Sequence, residues 1–235
     1  VLIFIKPEVT LDLTLQQWDL LIRQGRRSGV LARLGDILER KNLISDVPLE
    51  ALKHIKSAQT YANQMGSSLV WEVQCIQDAF SNLGIPLIFL KGTAYFISKN
   101  IASAGRVFSD VDILVSEENL QIVEKALIYK GWKTAHIDAY DQRFYRDWMH
   151  EIPPMQHIQR NTSIDVHYNI LPKISLYCPD PKLLLANAIK ISETNAWVLS
   201  PEDRVIHSAT HLFHEVEFEQ GFRDLSDLDL LLKEF

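Results

Sequence analysis

Apolar positions in the first third of the chain recur at helical spacing. Val30, Leu34, Ile37 and Leu38 form one stripe, and the stretch from Pro48 to Asn82 keeps the same period. Residues 12–82 are therefore predicted to be helical, with Pro48 at a tolerated helix start and Gly84 and Pro86 closing the segment. The pattern then changes. Pro86 to Leu90 (PLIFL) is short and wholly apolar, as expected of a strand buried on both faces. Gly92 follows, then a predicted short helix through Lys99. Asp110 to Val115 (DVDILV) reads as a second strand. Ser116 can cap the next helix, Glu117 and Glu118 suit its positive end, Leu120, Val123 and Leu127 keep its spacing, and Gly131 ends it. Residues 154–170 read as a hairpin, with arms Met155 to Arg160 and Ser163 to Ile170 and the turn at Asn161-Thr162. From Pro179 the pattern is helical again, and Ser200-Pro201-Glu202-Asp203 is a helix start. The expected layout is a helical region over 1–84, an α+β core over 85–175 and a C-terminal helical region over 176–235 that packs on the core.

Composition narrows the classes. The 235 residues are 47% hydrophobic and 23% charged, ordinary for a folded chain able to bury a core. With 24 Lys+Arg against 30 Asp+Glu the net charge is -6, which argues against a polybasic membrane-surface or nucleic-acid binder and disfavours a long nucleic acid as partner. Cys75 and Cys178 lie far apart and match no metal or redox spacing, so free thiols in a reducing cytoplasm are expected. No apolar run approaches the roughly 20 residues of a membrane span. The opening VLIFI is too short for a signal peptide and lacks a basic start. A cytoplasmic protein with no membrane partner is the expectation. The opening Val1 and the uncapped ending LLLKEF suggest a few residues missing at each terminus.

The candidate chemistry sits in the middle region. Asp110 and Asp112 are i and i+2 of a strand, so both carboxylates project from one face while Val111, Ile113 and Val115 face the core. Carboxylates side by side repel, and a divalent cation relieves them. Taken alone, D-x-D also fits a solvated strand end. Asp165 stands between Ile164 and Val166 and shares its strand face with His167. If its strand lies beside that of Asp110, three carboxylates converge in the geometry of two-metal phosphoryl transfer. The sequence permits that adjacency without showing it. In LKGTAYF a buried strand ends at Lys91 and Gly92-Thr93 opens a helix. Glycine allows close backbone approach, helix N–H groups favour phosphate, Thr93 offers a hydroxyl and Lys91 a charge. A Lys-Gly pair by itself is usually a turn.

In order, the segments are L-K-G-T-A at 90–94, R-x-x-x-D-V-D-I-L-V at 106–115 and I-D-V-H-Y at 164–168. The combination resembles the nucleotidyltransferases of the DNA polymerase beta superfamily. It is closest to a bacterial family of uncharacterised nucleotidyltransferases, whose members show a K-G strand end, an R…D-[IV]-D strand and a later D-x-H strand. The resemblance covers roughly residues 85–230. It implies an α+β, polymerase-beta-like core, a small mixed sheet with helices, flanked by the two helical regions. Gly92 and Thr93 would stand where the superfamily has Gly-Ser or Gly-Gly against the nucleotide triphosphate. Asp110 and Asp112 would hold Mg²⁺ or Mn²⁺, with Asp165 the third carboxylate. Arg106 would contact phosphate or brace the metal loop, its other reading being a surface cation. Lys91, His167 and His211 complete the expected nucleotide-binding set. The implied activity moves a nucleoside monophosphate from a nucleoside triphosphate to an acceptor hydroxyl of a protein, a small molecule or a tRNA end, as toxin-type relatives do, releasing pyrophosphate. The competing expectation is a non-catalytic nucleotide-binding or protein-interaction module on the same fold, which a missing carboxylate would favour; none is missing.

Three further groups have bland readings. His207, His211 and His214 fall at i, i+4 and i+7, on the face opposite Val205, Ile206, Ala209, Leu212, Phe213 and Val216. That face is expected in water, with His211 the best candidate for closing over a cleft and zinc the lesser alternative. Tyr140, Phe144, Tyr145 and Trp148, interleaved with Arg143 and Arg146, read as a helix edge on the hairpin, or else as a stacking surface. Arg23, Arg26, Arg27 and Arg33 read as a solvated helix face, the place for backbone contacts if the acceptor were RNA.

Overall fold

The computed structural model describes residues 2–134, 138–192, 194–214 and 220–235. After a one-turn helix α1 (Leu2–Ile5) come α2 (Leu15–Arg27), α3 (Leu31–Arg40) and α4 (Leu49–Phe80). Thr14 starts α2 with a reciprocal capping box to Gln17, which satisfies donors the first turn leaves open. Trp18, Ile22, Leu34, Leu38, Ala51 and Ile55 close a small core among α2, α3 and α4. Gly35 sets the α3–α4 crossing, since a Cβ there would come within 2.6 Å of Ile55 Cγ2. Helix α4 is 32 residues long and its far half enters a second, larger core through Leu69, Val73, Ile76 and Phe80. One rigid element thus belongs to both cores and fixes the helical front against the sheet.

The remaining elements are β1 (Leu87–Phe89), α5 (Lys91–Ile97), β2 (Asp110–Leu114), α6 (Leu120–Tyr129), β3 (Trp132–Thr134), α7 (Ala139–Arg143), β4 (Met155–His157) and β5 (Ser163–His167). They continue with α8 (Pro181–Ala186), β6 (Ile189–Lys190), β7 (Ala196–Val198), α9 (Pro201–His214) and α10 (Gly221–Glu234). The seven strands form one mixed sheet in the order β3-β4-β5-β2-β1-β7-β6. β2 runs parallel to β5, β1 runs antiparallel to β2 and parallel to β7. Leu87, Phe89, Val111, Ile113, Ile164 and Val166 face α4 and α6, while Ile88, Leu90 and Leu114 face a cluster with Ile170, Leu184 and Leu199. Asp112 and Asp165 alternate onto that second face.

The sheet reaches beyond residue 175. β6 and β7 come from the tail that the sequence pattern reads as helical, and β7 lies directly beside β1. Strands of two or three residues carry too few positions for a period of two to register. The hairpin also differs. Met155 pairs with Ile164, so the loop spans 158–162 instead of a two-residue turn, with Asn161 at φ 58° in the left-handed conformation its side chain tolerates.

Helix α9 is rotated relative to its pattern. Its buried residues are Arg204, His207, Ser208 and Leu212, whereas Ile206 and Phe213 are 52% and 71% exposed. The surface it covers is mixed: Val205 packs on the main core, Arg204 Nη1 donates to Asn100 Oδ1 at 2.6 Å, and Ser208 meets the Tyr95 hydroxyl. Val216 lies outside the described residues. His207 is buried, His211 half-buried and His214 exposed, so the three do not form one solvated stripe. Cys75 and Cys178 are free. No helix among the described residues is long and apolar enough to cross a membrane.

Candidate active site

The parallel register of β2 and β5 sets Asp112 directly opposite Asp165, with Asp110 opposite Ser163. Asp110 is exposed at the start of β2 and accepts from Ser109 Oγ at 2.8 Å. Asp112 is buried one step deeper. A cleft of about 800 Å³ opens over these carboxylates, and its walls include Lys91, Gly92, Arg106, Glu151 and His211.

The neighbouring carboxylates are not equivalent. Asp112 Oδ1 pairs with Lys91 Nζ at 2.9 Å and accepts from His167 Nε2 at 3.0 Å. Burial pushes Asp112 up, but Lys91 and His167 outweigh it and hold the carboxyl well below its usual range. Asp165 has no such partner. Burial first, then the Asp112 charge, raise it to about 7, and its buried Oδ1 has no hydrogen-bond partner among the described residues. One carboxylate is a fixed anion; the other takes a proton near neutrality. His167 Nδ1 lies 3.1 Å from Glu151 Oε2 without hydrogen-bond alignment. Burial lowers His167, yet Asp112 and Glu151 raise it further, so its net direction is up. His150 next to it stays neutral, pushed by burial down to about 3. One ligand atom each from His150, Glu151 and His167 lie within 4.8 Å of one another, a second set able to hold a metal.

A further wall of the cleft forms where β1 turns into α5. Lys91 takes φ 45°, a left-handed conformation that costs a non-glycine residue about 1–2 kcal/mol. At that turn its ammonium reaches Asp112. Gly92 is required for a different reason than close ligand approach alone: a Cβ there would sit 2.0 Å from Arg106 Nη1. The Arg106 guanidinium lies over Tyr95 and Phe108, 5.9 and 5.5 Å from their ring centres, and its Nε donates to Asp227 Oδ2 at 2.9 Å. His211 stands on the opposite wall, 3.8 Å from Asp224.

Two expected nucleotide contacts fall elsewhere. Thr93 is buried with α5's inner face and its Oγ1 finds no partner among the described residues, because the third residue of that helix already turns inward. It does not line the cleft. His167 is likewise buried behind the carboxylates, where it braces Asp112 instead of reaching the cleft. Arg33 corrects the solvated-face reading of the front arginines: it is 1% exposed and donates into Asp227, Ala102 O and Ser226 Oγ. Arg23, by contrast, is exposed and pairs with Asp19. The aromatic group packs on itself, with Tyr140 and Phe144 stacked at 6.5 Å, and Arg146 ties it to Glu124 of α6; none of it lines the cleft.

Glu151 and Asp227 escaped the sequence reading. Glu151 lies outside the named strands, joined to β5 by a lone backbone bridge to His167, with no periodicity to single it out. Asp227 carried a usable signal, because it sits one residue before Leu228 and four before Leu231 on the buried side of α10.

A model of the family described as "Uncharacterised nucleotidyltransferase" matches residues 14–235. The chain belongs to that family. The match takes in the helical front and tail as well as the sheet, in keeping with a cleft whose walls come from all three. No curated protein matches the chain. Membership of a nucleotidyltransferase family makes a nucleotide the substrate class.

Proposed function

We propose that the protein transfers a nucleoside monophosphate from a nucleoside triphosphate to an acceptor hydroxyl, with Mg²⁺ or Mn²⁺, releasing pyrophosphate. The observation that carries this reading is the in-register Asp112–Asp165 pair at the floor of the cleft, with Asp110 at its rim. The residues fit a divalent cation: Asp165 Oδ1 is a buried acceptor without a partner amid other carboxylates. Asp110, Asp112 and Asp165 would hold it, and it would neutralise charge on the phosphoryl oxygens. Lys91, Gly92 and Arg106 line the cleft where the triphosphate would lie, cations against phosphate oxygens. Asp165, as the third carboxylate, would take the proton from the attacking hydroxyl. The new bond joins the acceptor oxygen to the α-phosphorus as the bond to pyrophosphate breaks. Positioning inside a walled cleft supplies much of the acceleration.

The test is label transfer from each α-labelled nucleoside triphosphate, with Mg²⁺ or Mn²⁺, alone, with cell extract and with bulk tRNA. Transfer that disappears in the Asp110→Ala, Asp112→Ala double variant supports the reading, and the labelled product reports the acceptor class. Binding without transfer under every condition would replace it with a non-catalytic nucleotide-binding module.

A further inference from the structure

Three parts of the chain meet at one buried carboxylate. Asp227 of α10 is 2% exposed; its Oδ1 accepts from Arg33 Nη2 of α3 at 2.6 Å, and its Oδ2 from Arg106 Nε at 2.9 Å. Two guanidinium cations share this one carboxylate, with Asp224 a further negative charge acting on Arg106, and their remaining N–H donors still need partners.

The two arginines are not alike. Arg33 spends its remaining donors inside the protein, on Ala104 O at 3.3 Å, Ser226 Oγ at 2.9 Å and Ala102 O at 2.6 Å. Arg106 does not. Neither of its Nη groups has a hydrogen-bond partner among the described residues, its side chain is only 9% exposed, and it lines the cleft against Gly92. A nearly buried guanidinium with its fork open to a cleft is built to receive a bidentate anion.

We infer that Asp227 is a positioning residue for the triphosphate. By holding Nε it fixes the guanidinium plane, so that the free Nη edge over Gly92 faces the phosphates, while Arg33 anchors Asp227 to the helical front. The inference rests on the nucleotidyltransferase reading and extends it to two segments remote from the D-x-D strand.

The experiment measures binding of the four nucleoside triphosphates, the matching monophosphates and inorganic tripolyphosphate, each with Mg²⁺, to the full chain. The variants are Asp227→Asn, Asp227→Glu, Arg106→Met and the Arg106→Met, Asp227→Asn pair. Asp227→Asn removes the charge and leaves one acceptor oxygen for two guanidinium groups; Asp227→Glu keeps the charge but displaces the guanidinium by about one methylene. Both are expected to lose at least about tenfold in affinity for tripolyphosphate and nucleoside triphosphate, the scale of one charge-assisted hydrogen bond. Monophosphate affinity should change much less. In the Arg106→Met background Asp227→Asn should cost nothing more. If Asp227→Asn fails to fold, Asp227→Glu carries the test. Equal loss for mono- and triphosphates, wild-type affinity in Asp227→Glu, or a further loss in the double variant would overturn the inference. A wild-type chain that binds no nucleoside triphosphate would overturn the underlying reading instead.

Discussion

Substitution of Gly92 by alanine sets two effects of opposite sign against each other. Gly92 is the second residue of α5, and helix propensity alone favours alanine there by up to about 1 kcal/mol. The structure argues the reverse. A Cβ would sit 2.0 Å from Arg106 Nη1 and 2.6 Å from Cζ, far inside contact distance, and the guanidinium cannot simply swing away. Asp227 holds its Nε at 2.9 Å, and the aromatic rings of Tyr95 and Phe108 flank it. Displacing it strains or breaks a buried charge pair, a loss of about 3–5 kcal/mol when complete. Partial relief by a small shift reduces that, so Gly92→Ala should destabilise by about 2–3 kcal/mol net. At roughly 2–4 °C per kcal/mol for a domain of this size, the melting temperature falls by about 4–12 °C. Urea denaturation with matched m-values gives the free energy, and tripolyphosphate binding should weaken in parallel. A variant as stable as the wild type, or more stable, would refute the packing of Arg106 on Gly92 and with it the reason for glycine at this position.

Three more outcomes follow from the same geometry. Asp165 is raised to about 7 from an ordinary 3.8, so between those values the folded chain keeps a proton that the unfolded chain releases, and stability declines as pH rises through that window. Metal-free Asp165→Asn should therefore gain stability over the wild type progressively from pH 4 to 7 and hold that gain above it; a pH-independent difference in thermal melts would contradict the raised carboxyl. On α9, Phe213→Ser should change stability by no more than about 0.5 kcal/mol, while Leu212→Ala should cost about 2–5 kcal/mol; a cost at Phe213 as large as that at Leu212 would restore the apolar face that the pattern suggests. Gly105 takes φ 61° and a Cβ there would lie 2.4 Å from the Arg33 backbone N, so Gly105→Ala should cost about 2 kcal/mol or more, read by urea titration.

How much was legible depended on how local the cause was. The long helices, the strand PLIFL and the D-V-D-I-L strand are written in runs of side chains whose period matches their own element, so the pattern reads them directly. The D-x-D pair, Asp165, Lys91, Gly92 and Arg106, which line one cleft, could be picked out as candidates because their spacing is itself a motif. The short strands β3, β6 and β7 were not, since each is held by its neighbour in the sheet and not by its own sequence. The face of α9 is rotated from its pattern for a related reason: a helix hides whichever side its partners need, so His207 and Ser208 go in with Leu212 while Ile206 and Phe213 stay out.

The sequence by itself determined the classes of element, the family and the residue types available for phosphate chemistry, because those rest on local periodicity and motif spacing. Tertiary structure alone decided which of those residues meet. The pairing of β2 with β5 brings Asp165, 53 positions beyond Asp112, into register with it, and splits two like groups into a fixed anion and a proton acceptor. Packing of α3 and α10 brings Arg33 and Arg106 to Asp227, across separations of 194 and 121 positions. Charge interactions and burial act through space, over a few ångströms, and no pattern along the chain encodes that distance.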